Sequence, residues 1–185
     1  MDVADANHSS IPTTIIVGLG NPILTDDGVG VYVARALANL LQESPDVTIT
    51  EASVGGLRLM ELLAGYDRAI LIDAILDDSP PGAIMRMTME ALMARSPTQH
   101  IASAHDTSLA TAMKAGRRMG LHLPIEIIIY AISVDNVLDF GDTLTPMVAE
   151  AVPKVVRAVA QEIGLKKVLK NVTVTDGDAH PPHSH

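Results

Sequence analysis

Apolar positions along this 185-residue chain alternate between two periods. Short β-branched or aliphatic runs read as strands: "TTIIVGL" (13–19), "VTITEAS" (47–53), "AILIDAI" (69–75), "AIMRMT" (83–88) and "PIEIIIYAIS" (124–133). Between them apolar residues recur every three or four positions, as on one face of a helix. Val33, Leu37, Leu40 and Leu41 form such a stripe after "DDGVG", and Pro45 ends it. Leu59, Leu62 and Leu63 form a second after Gly55 and Gly56, and Leu109 and Met113 mark a third over 105–120. A last helix is expected from Pro146, with Thr145 as its cap. Val148, Val152, Val155, Val156, Val159 and Ile163 supply its apolar face, and Pro153 is expected to kink it. Residues 89–95 read as a helical turn, and 96–104 and 134–142 as loops.

Strands alternating with helices predict an α/β fold. The expected architecture is a three-layer sandwich, a mainly parallel twisted sheet of about five strands with helices on both faces. "AILIDAI" is apolar on both faces, as a central strand of such a sheet should be. The turn "DDSPPG" after it is short enough to return the fourth strand antiparallel against the third. Residues 1–12 are polar and expected to be disordered, residues 13–165 to form a single domain, and residues 166–185 to be a flexible tail.

Hydrophobic residues make up 48% of the chain, enough for a real core, while aromatics at 2% make that core aliphatic. Lys and Arg total 13 against 22 Asp and Glu, a formal charge of −9. That balance argues against nucleic acid and against anionic membranes as partners. Cysteine is absent, which excludes a Cys nucleophile, a thiolate metal site and disulfides. No apolar run nears the roughly 20 residues needed to span a bilayer, and "MDVADANHSSIP" lacks the parts of a secretory signal. A cytoplasmic protein is expected.

In parallel sheets, ligands bind beyond the carboxyl ends of the strands. Polar residues just after strands are therefore the candidates: Asp26 and Asp27 after the first, Glu51 ending the second, Asp73 near the end of the third, and Asp135 and Asn136 after the fifth. His105 opens the helix before that fifth strand. A dinucleotide site draws on Gly18, Gly20 and Glu51, but Ile23 stands where the third glycine of G-x-G-x-x-G belongs. Asp26 and Asp27 also put carboxylates where a pyrophosphate would meet the helix N-terminus. A divalent-metal site draws on Asp27, Asp73 and His105, two acids and an imidazole at one sheet edge. Each has a plainer role open to it: helix capping, a turn hydrogen bond, or a structural histidine. Neither HExxH nor GxSxG is present, and the histidines of the terminal "HPPHSH" read as incidental to a polar tail.

"GLGNPILTDDGVG" (18–30) resembles the opening of the hydrogenase maturation endopeptidases, which process the large subunit of nickel–iron hydrogenases. "GGLRLMELL", "LIDAI", "SAHDTSLA" and "LTPMVAEAV" resemble later segments of that family in the same order, from about residue 14 to about residue 163. "AISVDN" departs from the family's G-x-Q-P-type step. The resemblance implies an endopeptidase that removes the C-terminal extension of a hydrogenase large-subunit precursor after nickel insertion. It implies that Asp27, Asp73 and His105, rather than His100, are the catalytic and metal-binding residues. Nickel would arrive in the precursor, though zinc or cadmium would suit the same donors. Asp26 is then expected to cap its own helix while Asp27 faces the cleft. A metal-dependent hydrolase of another substrate, and a non-catalytic metal-binding or chaperone module, are the alternatives.

Overall fold

The computed structural model describes residues 12–41, 45–94 and 106–165. Five strands form one sheet: β1 (Thr14–Leu19), β2 (Val47–Ala52), β3 (Arg68–Ile75), β4 (Ile84–Thr88) and β5 (Glu126–Ser133). Among the described residues five α-helices accompany them: α1 (Val29–Leu41), α2 (Gly56–Leu63), α3 (Met89–Ala94), α4 (Asp106–Arg118) and α5 (Pro146–Glu162). The strand order is β2-β1-β3-β5-β4, parallel except for β4. The α/β sandwich expected from the sequence is the one observed.

Side-chain alternation along the strands divides the core between the two faces. Ala69 and Leu71 of β3 pack with Leu59, Met60 and Leu63 of α2 and Leu109 and Met113 of α4. Ile70 and Ile72 face the other way, onto Val33 and Leu37 of α1 and Val148, Val155 and Val159 of α5. The helical stripes read from the sequence are thus the buried faces. α5 runs unbroken through Pro153, which lies on its exposed side. Water can satisfy the carbonyl left without a donor there.

The fourth strand corrects the sequence reading. β4 pairs antiparallel with β5, not β3, with Arg86 opposite Tyr130. Both neighbours of β3 are parallel strands, β1 and β5. β5 is buried from Ile127 to Ser133 and requires a strand on each side, whereas β4 is short and only partly buried, as suits an edge. A short turn permitted the hairpin, but the demand of β5 for a second neighbour overrides it.

The order β2-β1-β3 makes the chain leave β1 in one direction and return on its other side. The first crossover carries α1 on one face and the second carries α2 on the opposite face. A crevice opens at such a reversal, beyond the carboxyl ends of β1 and β3.

Candidate active site

The segment after β1 enters this crevice through close backbone contacts that only glycine allows. Gly30, in the first turn of α1, is so near the sheet that an added Cβ would lie 2.2 Å from the Ile72 carbonyl oxygen and 2.4 Å from that of Leu19. Gly20 has φ +119°, and a Cβ there would collide with the Asp27 carbonyl at 1.8 Å. These contacts press residues 25–28, a 3-10 turn, against the end of β3. Asp27 in that turn and Asp73 in β3 therefore flank the same crevice, on either side of the reversal.

Asp73 is 4% exposed in a strand otherwise made of core residues beyond Arg68. By alternation its side chain takes the face shared with Ala69, Leu71 and Ile75, the face covered by α2 and α4. Asp27 is half-buried, and its Oδ2 accepts the Asn21 backbone N–H at 2.6 Å. Asn21 therefore orients Asp27, a role carried by a main-chain group that sequence reading does not expose. In turn, Asn21 Oδ1 accepts from Ile23 N–H, which holds the loop in shape.

His105, the third expected ligand, lies outside the described residues, as does His100. Among the described residues, no three His, Cys, Asp or Glu side chains gather closely enough to hold a metal ion. α4 begins at Asp106, the next residue in the chain, and covers the sheet face that carries Asp73. Its C-terminal end sits by the start of β5, where Arg117 donates to the Pro124 carbonyl. Its first turn therefore lies toward the carboxyl ends of the strands.

Asp26 corrects the sequence reading of the acidic pair. It makes no cap for its own turn, where Leu24 is the N-cap residue without a side-chain bond. Its carboxylate is 1% exposed and reaches α5 instead. Oδ1 accepts from Thr145 N–H at 2.7 Å, and Oδ2 accepts from Thr145 Oγ1 at 2.8 Å. Thr145 is the N-cap residue of α5, but its hydroxyl serves Asp26 and not the helix. A carboxylate is thus anchored at the positive end of a 17-residue helix.

The other candidates have structural duties. Glu51 is held by Arg35 through two hydrogen bonds of 2.9 and 3.0 Å, so it is not poised for a ribose. This pair borders an open groove of about 600 Å³ between α1 and β2, which contains neither Asp27 nor Asp73. Asn136 Oδ1 accepts from the N–H groups of Leu138 and Asp139, organising the loop after β5. Asp77, in the β3–β4 turn, has a structural duty as well. It accepts from Ser79 N–H, Ser79 Oγ and the buried Ser133 Oγ, joining the β3–β4 turn to the end of β5.

At the opposite end of the sheet, Glu162 gathers Arg68, Arg86 and Tyr130. The Arg86 guanidinium, bonded through two nitrogens, holds the Glu162 carboxyl down at about 2, despite the opposing effect of burial. Burial first, then the Glu162 carboxylate, push the Tyr130 hydroxyl up to about 12. Arg68 Nε lies 2.7 Å from Glu126 Oε2, but its N–H is not aligned with that oxygen. That contact is an ion pair and not a hydrogen bond, because alignment decides the latter.

A five-stranded sheet, parallel except for one edge strand and covered by helices on both faces, is the fold found in solved maturation endopeptidases. The chain is similar to the hydrogenase-maturating endopeptidase HybD from E. coli, with a TM-score of 0.67 and 26% identity over 82% of this chain and 94% of that one. It is also similar to the [NiFe] hydrogenase maturation protease HybD from Thermococcus kodakarensis, with a TM-score of 0.63 and 27% identity over 82% and 99%. Among curated proteins it is 27% identical to the hydrogenase expression/formation protein HupD of Rhizobium leguminosarum bv. viciae, over 92% of this chain and 83% of that protein. The hydrogenase 2 maturation protease of Escherichia coli K12 is 27% identical over 83% and 94%. The family model HycI, hydrogenase maturation protease, matches residues 31–162. The chain belongs to the hydrogenase maturation protease family, and its activity is that of a peptidase. No helix among the described residues is long and apolar enough to cross a membrane.

Proposed function

We propose that this protein removes the C-terminal extension of a nickel–iron hydrogenase large-subunit precursor after nickel insertion, with Asp27, Asp73 and His105 recognising the nickel that the precursor carries. The observation that supports this most is the pair of carboxylates, Asp27 and Asp73, flanking the crevice between β1 and β3. Asp73 is 4% exposed near the carboxyl end of a core strand, the edge at which a parallel sheet receives its ligands. Carboxylate and imidazole donors suit a divalent first-row ion, and three of them leave positions for groups of the substrate. Nickel belongs to the substrate in this reading, which asks for a site that grips the ion only while precursor is bound. The chain supplies orientation: the Asn21 N–H fixes Asp27, and the strand backbone fixes Asp73. A cytoplasmic location accords with action on a newly made precursor.

The test is incubation with nickel-loaded precursor, followed by intact-mass measurement. Wild-type protein should shorten the precursor at one C-terminal position and leave nickel-free precursor whole. Asp27→Asn should retain the thermal midpoint within a few degrees and lose at least a hundredfold in processing rate. Equal cleavage by Asp27→Asn would remove Asp27 from the site.

A further inference from the structure

The loop joining β5 to α5 carries a feature that the cleavage chemistry does not use. Leu138 is 81% exposed and Phe140, the single phenylalanine of the chain, is 83% exposed. Ile23, in the loop beside Asp27, is 57% exposed. These side chains stand in water although the backbone beneath them is tied down. Gly141 N–H donates to the Ile23 carbonyl, and Thr25 N–H donates to the Gly141 carbonyl, both at 3.1 Å. Thr25 Oγ1 donates to the Asp139 carbonyl at 2.8 Å, and Tyr32 donates its hydroxyl to the Asp142 carbonyl. Leu24 and Gly141 form a parallel bridge. The two loops are one braced unit, and that unit includes the turn bearing Asp27.

A braced loop that presents large apolar side chains is suited to binding, because little ordering cost remains when a partner arrives. The charge pattern narrows the partner. Asp135, Asp139 and Asp142 are exposed around Leu138 and Phe140, and residues 134–145 contain no Lys or Arg. An apolar centre with an acidic rim complements a partner segment that has apolar and basic side chains.

We propose that Ile23, Leu138 and Phe140, rimmed by Asp135, Asp139 and Asp142, form the surface on which an apolar, basic segment of the precursor docks. This rests on the reading of the chain as a precursor-cutting protease, and it adds the place where the precursor is held. The braced loops then align the docked chain with the crevice containing Asp27. Because the contacts are apolar and ionic, docking does not require nickel.

The experiment measures two quantities: Kd for nickel-free precursor, which is not cut, and KM for nickel-loaded precursor. The double variant Leu138→Ser/Phe140→Ser should weaken Kd tenfold or more and raise KM by a similar factor, with an unchanged circular dichroism spectrum. Asp135→Asn/Asp142→Asn should flatten the salt dependence of Kd. Ile125→Ser, an equally exposed apolar residue at the other end of the sheet, should change neither quantity. Unchanged Kd and KM in both double variants would overturn the proposal. So would a wild-type dimer that Leu138→Ser/Phe140→Ser dissociates, or a precursor affinity that rises when residues 166–185 are deleted. Those results would assign the surface to a second copy or to the chain's own tail. If wild-type protein binds precursor but never cuts it, the proteolytic reading fails while the docking measurement still stands.

Discussion

Asp26→Ala separates two accounts of the acidic pair by magnitude. An exposed N-cap that loses its side chain costs about 0.5–2 kcal/mol. The structure shows a carboxylate at 1% exposure that accepts two hydrogen bonds from one residue of α5. Hydrogen bonds to a charged group contribute about 1.5–3 kcal/mol each, and two that share one carboxylate are not fully additive. The alanine variant also leaves the Thr145 N–H and hydroxyl without that acceptor and removes a negative charge from the start of α5. A loss of about 3–4 kcal/mol is expected, or roughly 6–16 °C in Tm for a domain of this size. Asp26→Asn should lose less, since an amide can accept from Thr145 N–H and donate to Thr145 Oγ1. Urea unfolding followed by circular dichroism provides the measurement, with processing assayed well below the transition. Cleavage should remain measurable in both variants. A loss below about 1 kcal/mol for Asp26→Ala would refute the assigned role of the carboxylate in holding α5 to the first loop.

Two further outcomes follow from the packing. Glu162, depressed to about 2, contributes stability that is present above the usual carboxylate range and lost as pH falls from about 4.5 toward 2. After allowance for solvent screening this amounts to about 1–2 kcal/mol, so Glu162→Gln should flatten the acid limb of a Tm-against-pH curve. Gly30→Ala places a methyl group within 2.4 Å of two strand carbonyls and should cost several kcal/mol, on the order of 3, with any folded fraction poorly active. A Gly30→Ala protein with wild-type Tm would refute the close seating of α1 on the sheet.

Much of this protein was legible in the order of its residues. All five strands and the helical faces follow from local periodicity, because burial on one side of an element forces apolar residues to recur at its own repeat. The placement of Asp27 and Asp73 at the carboxyl ends of strands was legible too, since a parallel sheet puts every strand-to-helix exit on one edge. His105 was equally visible as a candidate, and the described residues do not include it. What depended on distant parts of the chain was not legible. β4 follows β3 through a short turn, yet β5, nearly forty residues on, takes the place beside β3 because it is buried on both faces and β4 is not. Asp26 has the sequence of a local cap, but its partner is Thr145, 119 residues away. That Asp26 turns to α5 while Asp27 turns back to the Asn21 N–H depends on how the turn is seated on the sheet through its glycine contacts. Local sequence specifies what each element is and which face it buries. Only assembly decides which elements become neighbours, because pairing and hydrogen bonding across the sheet are settled by competition among all segments at once.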